Sequence, residues 1–435
     1  MVAVSAVAAA VPLGLNRPVF WLGFGILVAG WALVYLSLAQ RYQFDRALAV
    51  SRLSGLFALA AAVPVWALLQ ALPLAEIAPA IGPEAISILP SASLMGAIRF
   101  TIYILFFFLV IETAGRTVRA TRIGWFVFWG IVAHAVWGLL ALNVLGDIHF
   151  WGEKLAYNGS ATGTFINRNS FATFLGMGGC LGLALILGRD TARTRPVAAH
   201  AFSERKLETL ATWIGLVTIW IALFGTQSRL GVGAAAIGAG VCFAAFRIKN
   251  GAPALRVFGG VAFIGIVALV GAAVLLGQGL IGRTVFLEGS IEARLSAYRY
   301  TLELIAARPW FGHGLDAFRP AFETVHRPPL PGKFYWDRAH STYLSHWVEL
   351  GIVVGTIPLI MGGVVAGRLI KELRRRDCNF SLCIAGLGAL ATGAVHSLAD
   401  FSLEIPANVI LLLTILGLGL ANRCRVSPGV GRAGP

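Results

Sequence analysis

Arg338-Ala339-His340-Ser341-Thr342 closes a polar stretch of about sixty residues, between Gly279 and Tyr343, in a chain otherwise dominated by apolar runs. Ser341 or Thr342 is placed to cap the helix that follows, so His340 stands just outside that helix's positive end. An anion is welcome there, and the dipole discourages protonation of the imidazole, leaving a base or neutral donor near pH 7. A hydroxyl attacking a carbon needs such a proton acceptor, together with cations that stabilise a departing diphosphate. The alternative is an inert interfacial histidine, and His313, His346 and His396 present weaker cases than His340.

Cations stand upstream in the same stretch. Ile291, Leu295, Tyr298, Leu302 and Ile305 step by four and three, which predicts a helix. At about 100° per residue, Arg294 lies roughly 45° from the centre of that apolar stripe, whereas Arg299 and Arg308 lie roughly 85–95° away. Arg294 therefore borders the packed face, where its planar fork could hold a diphosphate in two-point contact. A salt bridge to Glu292 or Glu303, or snorkelling on an interfacial helix, is the competing reading. The following Pro309-Trp310-Phe311-Gly312-His313-Gly314 has turn punctuation, and its Gly-His-Gly is too little to define a phosphate loop.

Three further features interrupt the apolar background. Thr162-Gly163-Thr164-Phe165-Ile166-Asn167-Arg168-Asn169-Ser170 crowds polar side chains at the entry to an apolar run. Arg229 sits in the very short Thr226-Gln227-Ser228-Arg229-Leu230 connection, where ligand contact and interface anchoring are both open. Arg99 lies inside an apolar run, which points to snorkelling or an internal ion pair.

The elements that must position these groups are membrane helices. The 435 residues are 57% hydrophobic and 13% charged, with a mean hydropathy of +0.78, beyond the roughly 45–50% apolar content of soluble domains. Twelve apolar runs follow one another, from a short Val2–Leu15 to Ile405–Leu420, with Val257–Gln278 ninth and Tyr343–Val365 tenth. The expected fold is all-α: a single integral-membrane unit over residues 1–435 of about 12 transmembrane helices, with a large helical loop at 280–342 between spans 9 and 10. Spans such as Gly231–Phe246 and Ser381–Leu398 are rich in Gly and Ala, as close helix packing in lipid requires.

A net charge of +15 could suggest nucleic acid, but its placement argues otherwise. Alternate connections hold 22 basic residues against six acids, a surplus of 16 that leaves the rest of the chain at −1. The positive-inside rule puts those connections and both termini in the cytoplasm, and the 280–342 loop outside. That loop carries eight basic residues and six acids, so selectivity for an anion must come from a few placed arginines. The first run could instead be a signal peptide, but it lacks a basic n-region. Five cysteines, all in runs or cytoplasmic connections, imply neither a disulfide framework nor a zinc site. No Walker motif, HExxH or GxSxG stands in a supportive context, and the outer loops lack an aspartate pair for a divalent metal.

Taken in order, Gly163-Thr164-Phe165-Ile166-Asn167-Arg168-Asn169, Ser228-Arg229, Arg294, Pro309-Trp310-Phe311-Gly312-His313-Gly314-Leu315-Asp316-Ala317-Phe318 and His340-Ser341 leading to Glu349-Leu350-Gly351 resemble the O-antigen ligase and polymerase superfamily. The resemblance implies an inverting, metal-independent glycosyltransferase of the bacterial inner membrane that needs no cofactor. Its implied donor is an undecaprenyl-diphosphate-linked glycan on the periplasmic side, and its acceptor a sugar hydroxyl of lipid A-core or another glycan. Membrane lipids, and no nucleic acid, are its implied surroundings. By resemblance, Arg229 and Arg294 match arginines that hold the donor diphosphate, Arg168 a further basic residue near the site, and His340 the family's essential loop histidine. Asn167, Asn169, His313 and Ser341 fall in the same motifs and are taken as substrate-binding candidates. The chain departs from the ligase pattern at Gly351-Ile352-Val353-Val354-Gly355, one residue longer between its glycines. Two alternatives stay open: a polymerase joining lipid-linked repeat units, and a polysaccharide flippase or exporter.

Overall fold

The computed structural model of the protein describes residues 1–41, 53–73, 85–191, 199–253, 291–330, 336–375 and 380–421. These residues are helical, with no strands among them. In chain order the helices are α1 (Val2–Ala8), α2 (Pro18–Arg41), α3 (Ser54–Ala71), α4 (Pro90–Thr113), α5 (Thr117–Asn143), α6 (Arg168–Thr191), α7 (Ala199–Gly225), α8 (Arg229–Lys249), α9 (Ile291–Ala307), α10 (Phe318–Glu323), α11 (Thr342–Gly355), α12 (Ile357–Leu373), α13 (Ser381–His396) and α14 (Pro406–Ala421).

Among the described residues, seven helices are long and apolar enough to cross a membrane: α2 to α5, Arg168–Gly188 of α6, Leu207–Gly225 of α7, and α8. The expected span Tyr343–Val365 is not one straight helix, because α11 and α12 meet at a bend of 67° and form at most one broken span. The first apolar run also departs from expectation. It yields the seven-residue α1 and a 3-10 turn at Leu13–Leu15, where Leu13, Gly14 and Leu15 all take positive φ beside Pro12. The shorter apolar helices α13 and α14 match the last two expected runs. The expected ninth span, Val257–Gln278, lies outside the described residues.

Small residues decide which helices sit in the middle. The apolar window of α6 is 83% buried, that of α8 61%, and those of α2 and α3 only 28%. Lipid gives helices no hydrophobic reason to associate, so close backbone packing has to supply the attraction. α6, α8 and α13 achieve it: a Cβ on Gly388 would lie 2.2 Å from Cys242 Sγ and 2.9 Å from the Gly238 carbonyl. The region between α8 and α11 builds a second core from Tyr300, Leu304, Phe318, Phe322, Trp336 and Val348. That core seats α9 and the segment before α11 against the bundle.

The bend in α11 has a local cause. Gly351 takes φ 77° and ψ 165°, a combination essentially reserved for glycine. A helix broken there leaves carbonyls without intrahelical partners, which must be satisfied from elsewhere. The Gly312-His313-Gly314 turn supplies them: His313 N donates to Val348 O at 2.8 Å, and Gly314 N to Glu349 O at 2.9 Å. From α3, Gln70 Nε2 donates to Glu349 O at 2.8 Å and Trp66 Nε1 to Leu350 O at 3.0 Å. Ile352 N in turn donates to Pro309 O at 2.8 Å. The glycine-rich motif is thus a plug for a broken helix.

Candidate active site

His340 occupies the last turn before α11, with φ 53°, a left-handed conformation that reverses the chain between Arg338 and Ser341. Its ring packs edge-on against Trp336 (5.6 Å between centroids) and Phe401 (5.3 Å), and its Nδ1 is buried with no hydrogen-bond partner. α9 forms where the spacing predicts, but Leu295 and Leu302 of the expected stripe are exposed and its buried face is Ala293, Ala297, Tyr300 and Leu304; Tyr298 on it donates to the His340 carbonyl at 3.0 Å. One turn earlier on α9, Arg294 carries a buried Nε that likewise lacks a partner. Of the two acids weighed as partners for Arg294, Glu303 takes Arg327 at 2.9 Å through both oxygens, and the side chain of Glu292 lies outside the described residues.

Burial, and then the charge of Arg294, push the His340 imidazole down to about 4, with Asp400 partly opposing. The ring is therefore neutral at pH 7 and able to accept a proton. Neutrality was expected from the helix dipole; burial and Arg294 are the causes present in the structure. Ser341 is the N-cap residue of α11, but its side chain makes no capping bond and instead donates to Ser397 O at 3.3 Å. The first amide of that helix, Thr342 N, is taken by Ser397 O and Asp400 O.

Asp400 is the site residue that sequence reasoning missed. Almost fully buried, it accepts from Asn169 Nδ2 at 2.8 Å and Ser402 Oγ at 2.5 Å, and lies 3.8 Å from His396 Nδ1. It joins the start of α6, the end of α13 and the His340 segment. The available signal was an acid in the short break between two apolar runs, which it shares with Glu404, four residues after a histidine.

The polar segment before α6 lies beside this group. Asn167 Oδ1 accepts from Asn169 N at 2.7 Å, capping the helix, and its Nδ2 donates to Tyr157 Oη at 3.0 Å. Arg168 donates to Ser160 Oγ at 3.3 Å, with its guanidinium 5.7 Å from the centre of the Tyr157 ring. A cavity of about 130 Å³ is lined by Asn167 and Tyr157 and reaches Phe401, the residue packed on His340. Arg229 is the exposed first residue of α8, after Ser228, whose Oγ caps Gly231 N at 3.2 Å. Its turn is tied to the same loop through Gln227 Nε2 to Gly159 O (2.6 Å) and Ala161 N to Gly225 O (2.8 Å). The structure thus groups Arg294, His340, Asn169 and Asp400, with Asn167 and Arg168 adjoining them and Arg229 on the turn that braces that loop. His313 goes elsewhere: it is buried, its Nε2 bonds Leu304 O at 3.0 Å, and burial lowers its pKa.

Arg99 resolves as an internal pair. Its guanidinium meets Asp316 at 2.5 Å, answering the cost of a charge in hydrocarbon of about 2.5–3.5 kcal/mol at the bilayer centre. Arg338 pairs with Glu404 at 2.8 Å. Burial opposes the Arg338 charge, and Glu404 and Asp316 more than restore it, so its pKa rises.

These features define the class: a multi-pass, all-helical membrane protein whose segment between α8 and α11 sets a neutral histidine beside an arginine. Residues 214–359 match the family model described as O-antigen ligase, which supports the O-antigen ligase superfamily for this chain. The matched third holds Arg229, Arg294, the Gly312-His313-Gly314 turn, His340 and Gly351; Asn167, Arg168, Asn169 and Asp400 fall outside it. No curated protein matches the chain.

Proposed function

We propose that this O-antigen ligase/polymerase family protein is a glycosyltransferase that moves a glycan from undecaprenyl diphosphate to a sugar hydroxyl of lipid A-core. The reaction takes place at the periplasmic face of the bacterial inner membrane, with both termini in the cytoplasm and residues 280–342 forming the outer loop of a bundle of about twelve spans. One observation carries this reading: Arg294 and His340, electrostatically coupled, each present a buried nitrogen without a hydrogen-bond partner. Buried polar atoms are ordinarily satisfied, so such a pair suits a ligand that brings its own acceptors and donors.

In the reaction, the donor diphosphate lies against Arg294 and Arg229, which offset the negative charge that grows as it departs. His340, neutral at working pH, takes the proton of the acceptor hydroxyl as its oxygen attacks the anomeric carbon. The bond to the diphosphate breaks as the new glycosidic bond forms, and direct displacement inverts that carbon without a covalent enzyme intermediate or a metal. Asp400 holds Asn169 and balances the charge of Arg294 around the ring.

Purified protein offered lipid-linked glycan and lipid A-core tests this. Transfer is lost in His340→Ala and Arg294→Ala at normal membrane abundance, and full transfer by either variant sinks the assignment. Transfer to a second lipid-linked unit in preference to lipid A-core would identify a polymerase. Movement of the lipid-linked glycan across vesicles with no new glycosidic bond would identify an exporter.

A further inference from the structure

The 397–404 segment, between α13 and α14, fastens the reversing turn on both sides of His340. C-terminal to it, Thr342 N donates to Ser397 O at 3.1 Å, Ser341 Oγ to Ser397 O at 3.3 Å, and Thr342 Oγ1 to Asp400 O at 3.3 Å. N-terminal to it, Arg338 Nη1 donates to Glu404 Oε2 at 2.8 Å, an ion pair whose side chains are 28% and 7% exposed. The imidazole packs on a ring from each of the two pieces that this pair joins, Trp336 just before Arg338 and Phe401 just before Glu404. Two properties of His340 require such a hold. A φ of 53° persists in a non-glycine residue only where the surroundings over-determine it. The buried Nδ1 has no hydrogen-bond partner, so no bond at that nitrogen orients the ring, and packing against Trp336 and Phe401 does so instead.

We propose that the Arg338–Glu404 pair positions His340: it keeps the pieces bearing Trp336 and Phe401 together, and through them holds the imidazole toward the acceptor hydroxyl. This role rests on His340 being the base in glycan transfer, and Arg338 and Glu404 act through that ring. A base displaced by about 1 Å can slow a reaction on the order of 10²-fold, so the hold bears directly on turnover. A pair that served stability alone would behave differently, because well-packed apolar side chains of similar size could replace it and leave activity in place.

The test uses full-length protein in lipid nanodiscs carrying Arg338→Met with Glu404→Leu, which removes both charges at once and leaves the net charge unchanged. The double variant is expected to melt with wild type, yet to transfer glycan with kcat lowered at least about tenfold and KM for the lipid-linked glycan little changed. Labelled-histidine NMR reads the ring without substrate. Around it stand Arg294 and Tyr298 on α9 and Asp400 on the 397–404 segment, all kept in the variant. Burial is the largest cause holding the imidazole down at about 4, so a loosened, wetter ring is expected to titrate closer to 6.5 and to lose the ring-current displacement given by Trp336 and Phe401. A folded double variant with the wild-type His340 resonance and titration overturns the inference, whether or not its kcat falls. If the double variant does not fold, Glu404→Gln decides: loss of an anion by itself would lower the titration, so a rise reports a loosened ring, and a fall or no change overturns the inference. Failure of wild type to transfer glycan would remove the transfer reading instead, with the resonance still deciding whether the pair holds the ring.

Discussion

Replacing Gly351 by alanine tests whether the broken helix is held as described. The native φ of 77° with ψ 165° costs a non-glycine residue on the order of 1–3 kcal/mol. The new Cβ would also lie 2.3 Å from Trp310 O and 2.6 Å from Trp310 C, which are backbone atoms that no side-chain rotation can withdraw. The Trp310–Gly314 turn must therefore shift, at the expense of its bonds from His313 N to Val348 O, Gly314 N to Glu349 O and Ile352 N to Pro309 O. Each such bond contributes about 0.5–1.5 kcal/mol net. Strain and lost bonds together give about 2.5–7.5 kcal/mol, at the upper end for a single substitution. Gly367→Ala is the matched control: it lies in α12, an added Cβ meets nothing within 4 Å, and removing a helical glycine should be neutral or worth up to about 1 kcal/mol. Thermal unfolding of nanodisc-embedded protein, followed by tryptophan fluorescence, should show a midpoint lowered by about 5 °C or more for Gly351→Ala and unchanged or raised for Gly367→Ala. If the two variants melted together with wild type, Gly351 would not be the residue that fixes the bend.

The His340 imidazole should titrate near 4 in the empty protein, as read from side-chain NMR of selectively labelled histidine. Arg294→Gln should move that titration up and Asp400→Asn should move it down, because the first removes a cation and the second an anion; shifts in the same direction would refute the arrangement. Since the neutral ring is the base, kcat/KM for glycan transfer should fall only as pH drops toward 4, and kcat should fall at a higher pH, because a bound diphosphate offsets Arg294. Arg99→Gln leaves the part-buried Asp316 without its ion-pair partner and should cost up to about 3 kcal/mol, whereas Arg99→Gln with Asp316→Asn should recover most of it in the same melting assay.

Apolar run length located most of the helices, and the four-and-three stripe located α9, since both are consequences of nearest-neighbour geometry that a single chain displays. The hidden parts depend on contacts between distant residues. Nothing in Gly312-His313-Gly314 says that two of its amides fill the gap left by Gly351, almost forty residues on; the same letters would serve a surface turn. Span counting overlooked the break for the same reason: Gly351 and Gly355 interrupt Tyr343–Val365 without making it less apolar. Arg99 shows how much one partner decides, because its chemistry as a lipid-facing or paired charge depended on Asp316, more than two hundred residues away and unremarkable in its own motif. Asp400 shows the limit most sharply. Helix capping and helix projection, which are local rules, raised His340 and Arg294 as candidates, although Ser341 makes no capping bond and Leu295 and Leu302 of the projected stripe are exposed. The aspartate that balances them needed three helix ends to meet, and only then did an acid in a short polar break become part of the candidate site.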